Sequence, residues 1–164
     1  MDVSFPSIAD VRRKGQNHGM RIAAVSAELH VFDEKVNFAC PIRLAVSFVD
    51  GSVMRLRGSG DGEGLIVDRL PLEEPMDMAQ YGRTATFDFT DRMDGTLRGT
   101  VIVETLAIRN PSGKLIGLAI TREMREPFCI WIDGDEFHWG PLSALRSHDW
   151  LAGSEPEIEG PLAI

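Results

Sequence analysis

An all-β chain is predicted: an antiparallel barrel or sandwich of about eight to nine short strands with one or two short peripheral helices. Three observations predict it. Apolar runs of strand length recur between turn residues from position 22 to position 139. Sixteen glycines and nine prolines in 164 residues make a turn-rich composition. The most apolar stretch, residues 96–123, folds about Asn110-Pro111-Ser112-Gly113. There Pro presets φ for the second position of a type I turn, while Asn and Gly suit the first and fourth. Barrel and sandwich share this signature, and the sequence leaves both open.

That central hairpin is apolar on both faces. Closed symmetrically, it sets Ile108 opposite Leu115, Leu106 opposite Gly117 and Glu104 opposite Ala119 on one face. Ala107 with Ile116, Thr105 with Leu118 and Val103 with Ile120 make the other. A half-wet hairpin would alternate apolar and polar. This one is expected to be covered twice, once by its sheet partner and once by another layer, another subunit or a ligand. A one-residue bulge would move the pairs without changing that conclusion.

In chain order, residues 1–19 are polar and uneven, with a basic loop at Arg12-Arg13-Lys14, and read as an N-terminal arm. A single β domain is expected over residues 20–151. Its first strand places Ala27, Leu29 and Val31 on one side and Glu28, His30 and Phe32 on the other. Ile42, Leu44, Val46 and Phe48 give the cleanest period of two, and Asp50-Gly51 then turns the chain. Met54 and Leu56 return facing in, with Val53, Arg55 and Arg57 opposite. The glycine-rich run 58–64 reads as a loop, since a phosphate cradle needs a following helix and no carboxylates such as Asp61 and Glu63. Residues 65–70 and 84–90 are short strands, the latter with Ala85, Phe87 and Phe89 inward. The aspartates of 88–94 lack calcium-loop spacing and read as a polar turn. Residues 128–132 and 136–139 pair about Asp133-Gly134, and Pro141 starts a short helix docked by Leu142 and Leu145. Residues 152–164 read as a flexible acidic tail.

The net charge of −8 is uneven. Residues 1–57 carry eight basic and six acidic side chains, the remainder nine and nineteen. That acidic remainder argues against nucleic-acid binding, which needs a basic patch to displace counterions. No apolar segment is long enough to span a bilayer, and no secretory signal opens the chain, so a cytoplasmic protein is expected. Cys40 and Cys129 are expected as buried free thiols, although a single disulfide is compatible with the sequence.

Chemistry-bearing candidates are few. Glu136 and His138 share one face of a strand, which makes half a metal site or an acid–base pair; a third ligand would have to come from His30, His148 or Asp149. Glu104 lies in the most apolar strand, where an uncompensated carboxylate is costly. Enclosed in a lumen it would act as a general acid or base or hold a ligand's polar group; otherwise it pairs with an arginine such as Arg55, Arg57 or Arg98, or reaches solvent at an edge. Trp131, Trp139 and Trp150 cluster in sequence and would line a pocket or pack a satellite core. No nucleophile motif is present and no cofactor is implied.

Two functional readings follow. The first is a non-catalytic acidic β-domain that binds a protein partner or self-assembles as a homo-oligomer through an apolar sheet face. The second is a β-barrel that holds a small apolar ligand, as a binder or as an enzyme. There His30, Glu104 or His138 would supply the polar contact, and Trp131 and Trp139 would line the mouth.

Overall fold

A computed structural model describes residues 19–151, 153 and 155–162. The expected N-terminal arm and its basic loop lie, up to residue 18, outside the described residues. Among the described residues, eleven strands form two antiparallel sheets. The first sheet comprises β1 (Ile22–Phe32), β2 (Lys35–Val36), β3 (Arg43–Phe48), β4 (Val53–Gly58), β5 (Leu65–Asp68) and β6 (Arg83–Asp88). It runs β6-β1-β3-β4-β5, with β2 beside the far end of β1. The second comprises β7 (Glu104–Arg109), β8 (Leu115–Arg122), β9 (Arg125–Asp133), β10 (Glu136–Pro141) and β11 (Glu157–Pro161), in the order β10-β9-β8-β7-β11. Two short helices, α1 (Thr90–Asp94) and α2 (Leu142–Arg146), lie at the periphery.

The nine strands read from the sequence are all present, and β2 and β11 are added. Neither sheet closes on itself. Their inner faces meet in one core, where Leu44, Val46, Met54 and Leu56 join Leu118, Ile120, Phe128 and Ile130. Each such side chain contributes about 1.5–3 kcal/mol when fully buried. The expected alternation on β1 and β4 is observed, down to Arg55 and Glu28 on the face turned away from the core; on β3 it holds from Leu44 to Phe48, whereas Ile42 precedes the strand and is exposed.

The first arm of the central hairpin begins later than expected. Residues 99–102 pair instead with the start of the first sheet: the Ile22 amide donates to Thr100 O and the Ile102 amide to Met20 O. At Val103 the chain changes partner, donating to Thr121 O. This stretch is thus the corner joining the two sheets. Ahead of it, residues 90–97 coil into α1 and a 3₁₀ turn where a plain polar turn was expected. Asp88 accepts from the Thr90 amide and Asp94 from the Thr96 amide, which satisfies the first free donors of each turn.

The hairpin register also differs. Gly113, at φ 83°, adds a residue after the type I turn, as in a three-residue loop with a glycine bulge. A second irregularity follows between Ile108 and Arg109. Ile108 therefore pairs with Gly117, Leu106 with Ala119 and Glu104 with Thr121. Past the second shift each partner has moved by two, so from Ile108 to Glu104 the side chains keep their expected faces.

Both faces of that hairpin are covered. Ala107, Leu118 and Ile120 enter the common core. On the outer face, Gly117, Ala119, Cys129 and Trp131 are buried, and His148 and Trp150 from the C-terminal segment lie against Trp131. Gly117 is required there, since a Cβ would stand 2.5 Å from Ile130 O and 2.8 Å from the Trp131 Cβ. The expected flexible tail is corrected in part by this packing. Glu157 and Ile158 pair with Arg109 and Ile108, and Pro156 and Leu162 are buried. Glu157 and Glu159 are exposed, the latter paired with Arg109 at 3.0 Å, so the segment looks acidic while its sparse apolar residues anchor it.

Candidate functional site

Two places on this frame carry side chains that chemistry or recognition could use. The first is the outer face of the second sheet. Neighbouring strands β9 and β10 set Trp131 opposite His138, and the two rings stack at 5.9 Å. The segment after α2 brings His148 to 4.5 Å from His138, with Trp150 at 4.6 Å from His148 and 6.4 Å from Trp131. Asp133, at the end of β9, accepts from His148 Nε2 at 2.9 Å and from the Leu151 amide at 3.0 Å. The His148 and Asp133 side chains are only 15% and 11% exposed. Burial, reinforced by the nearby His148, holds the His138 pKa below its ordinary value, while Glu136 and Asp133 oppose that shift.

This arrangement resembles an acid–base pair, and its hydrogen bonds also join two distant parts of the chain. A groove of about 470 Å³ borders it and takes Asp133, Trp150 and Leu151 into its wall, but neither imidazole is among its lining residues. His148 spends Nε2 on Asp133, and Asp133 spends the same oxygen on both donors. The cluster thereby ties the C-terminal segment to the β9–β10 turn. The indole N–H groups of Trp131 and Trp150 are buried with no acceptor among the described residues. Each such donor costs about 1–3 kcal/mol, which is less than the roughly 4–6 kcal/mol gained by burying an indole. Cys129, beneath the same cover, has its thiol pushed up to about 12 by burial and by Glu126, so it is no nucleophile.

The remaining sequence candidates scatter. Trp139 lies on the opposite face of β10, edge-on to Phe89 in the core at 5.3 Å, and not with the other tryptophans. Glu136 is exposed at the start of β10. No group of three or more His, Cys, Asp or Glu side chains able to hold a metal ion occurs among the described residues, so Glu136 and His138 lack a third ligand there. Glu104 sits half-buried at the first position of β7, opposite Thr121. The lumen its acid–base role needs is not formed, because the sheets are open. Its proposed partners are engaged elsewhere. Arg55 meets Asp68 through two bonds of 2.8 and 3.0 Å, Arg57 approaches Asp68 at 3.7 Å, and Arg98 pairs with Asp88 at 3.3 Å. His30 is on the other sheet, bonded to the Tyr81 carbonyl and stacked on Phe32.

The Arg55 pair belongs to a network on the outer face of the first sheet. Arg43 bridges Glu28 at 2.9 Å and Glu73 at 3.2 Å, and Glu73 reaches Arg55 at 3.5 Å. Glu73 and the Pro71 carbonyl, also bonded by Arg55, belong to the segment after β5, which the arginines hold against the sheet. The Arg55 hydrogen bonds keep Asp68 below the usual carboxylate range.

The second place is beyond this network, where the β1–β2 turn meets residues 75–82. Phe32, Met76, Met78 and Tyr81 are 55%, 52%, 37% and 65% exposed, four of the eleven large apolar side chains left on the surface among the described residues. Between the two segments lies a groove of about 420 Å³, its wall including Asp33, Glu34, Met76, Asp77 and Arg83. The segments are locked together. Gly82, at φ 94°, lies so close that a Cβ would overlap the Val31 carbonyl oxygen. The Thr84 amide donates to Met76 O, and Thr84 Oγ1 accepts from the Met76 amide. No pattern in the sequence joined residues 32 and 76–81, since the contact forms only when β6 pairs with β1.

Fold and surface thus define an antiparallel β-protein of two open sheets with a single core and a partly apolar surface beside the β1–β2 turn. Comparison with protein-family models, curated proteins and solved structures finds no match to this chain. Among the described residues, no helix is long and apolar enough to cross a membrane.

Proposed function

We propose that the chain is a non-catalytic protein-binding domain that engages a partner, or a second copy of itself, through the surface formed by the β1–β2 turn and residues 75–82. The observation that carries this reading is the exposure of Phe32, Met76, Met78 and Tyr81 on two segments that backbone hydrogen bonds hold in place. Exposed apolar side chains gathered on a rigid support mark interaction sites, whereas singly scattered ones are ordinary. The apolar face of the central hairpin no longer serves as the contact, because the C-terminal segment covers it. The reactive side chains of the second sheet support this choice, being spent on fastening. A cytoplasmic setting suits the two free cysteines, of which Cys40 is exposed.

A photo-crosslinking residue in place of Tyr81, expressed in cells, tests the proposal. We expect a discrete crosslinked band that disappears when Met76→Asp and Met78→Asp are added to a chain that still melts cooperatively. A crosslinker at Val101, exposed on the corner segment, gives the background. Equal labelling from positions 81 and 101 would overturn the reading.

A further inference from the structure

We propose that the groove between the β1–β2 turn and residues 75–82 takes a cationic, apolar peptide segment of a partner protein, an inference that rests on the binding role assigned to this surface. Three carboxylates, Asp33, Glu34 and Asp77, stand against the single guanidinium of Arg83 in the groove wall. Among the described residues none of the three forms an ion pair, although the Asp77 carboxylate accepts from the Ala79 amide. Six other carboxylates, Glu28, Asp68, Glu73, Asp88, Asp94 and Glu159, meet arginines. This end therefore carries an unbalanced negative charge beside Met76 and Met78, and a partner with Lys or Arg next to Leu or Phe complements both features.

The backbone makes the same point. The two-residue turn joining β1 to β2 holds Asp33 and Glu34 at φ 49° and 58°. Asn-Gly and Asp-Gly are the usual choices for a turn with two positive φ values. Asp33 is among the residues that tolerate this conformation, and the turn sets the Asp33 and Glu34 side chains side by side in the groove wall. Methionine suits the neighbouring contact, since its unbranched thioether adapts to varied partner side chains. At about 420 Å³ the groove accommodates a few side chains of an extended segment rather than a folded surface.

Chain labelled with ¹³C at its methionine methyls supplies the readout: Met76 and Met78 report the site, and the fully exposed Met124 reports non-specific contact. The probes are two short peptides with the same Leu and Phe positions, one carrying Lys and Arg and the other Glu at the remaining positions. We expect the basic peptide to shift the Met76 and Met78 methyls saturably and to leave Met124 in place. Weakening of about tenfold is expected in D33N/E34Q/D77N, as three partly exposed charge pairs would give. Should that triple variant melt early, E34Q alone carries the same comparison with a smaller change. Equal binding of the Glu peptide at the same methyls would overturn the charge inference and leave the binding surface intact. Absence of any shift with either peptide, or equal shifts at Met124, would overturn both.

Discussion

The outer faces of the two sheets are closed by opposite means. On the second sheet the cover is apolar and aromatic: Trp131 beneath Trp150, Gly140 against Ala144, Leu145 buried in α2. On the first sheet it is ionic: three arginines and three carboxylates alternate from Glu28 to Asp68 and hold the segment carrying Pro71 and Glu73. Both covers are made by the chain itself. The comparison teaches that a sheet need not be half-wet to be ordinary. Apolar burial closes one face by removing surface from water, whereas the charged face closes only while each partner stays ionised.

The difference can be broken from either side. Trp131→Ala should be the most damaging change, lowering stability by about 3–5 kcal/mol and loosening the C-terminal segment, as read by urea midpoint and by amide exchange along β11. A loss under about 1 kcal/mol would mean that the aromatic cover contributes little. Arg55→Ala should cost about 2 kcal/mol, less than for a fully buried pair because Asp68 and Glu73 retain contact with water. Replacing Asp68 by Ala in the same chain should add much less than its separate cost, and strict additivity would show that the two do not act as a pair.

Acid should separate the faces next. The folded-state pKa of His138 is lowered from 6.5, so its contribution is whole above that value and is lost as pH falls below it. The second sheet's cover should therefore weaken first on acidification, and His138→Gln should flatten that dependence in Trp fluorescence. The Asp68 pKa is lowered from 3.8, so the first sheet should yield only in stronger acid. Simultaneous loss of both covers near pH 6 would contradict this order. Salt should have the smallest effect. Raising it to about 1 M should loosen the segment at Glu73, which is 54% exposed, by under about 1 kcal/mol while leaving the aromatic cover unchanged.

By itself the sequence determined what is local. Period-two spacing fixed the faces of β1, β3 and β4, Asn110 to Gly113 and Asp133-Gly134 placed two turns, and the two-sided apolar hairpin implied two covers. These depend on neighbours a few residues apart, where side-chain direction and turn stereochemistry act directly. Tertiary structure alone decided what covers the hairpin, because Glu157 to Pro161 shows its pairing only beside β7. The same holds for the meeting of His138 with His148 and Asp133, and for the approach of Phe32 to residues 76–81. Such contacts form between distant parts of the chain, and no short-range pattern records them, since each half is stable only in the presence of the other.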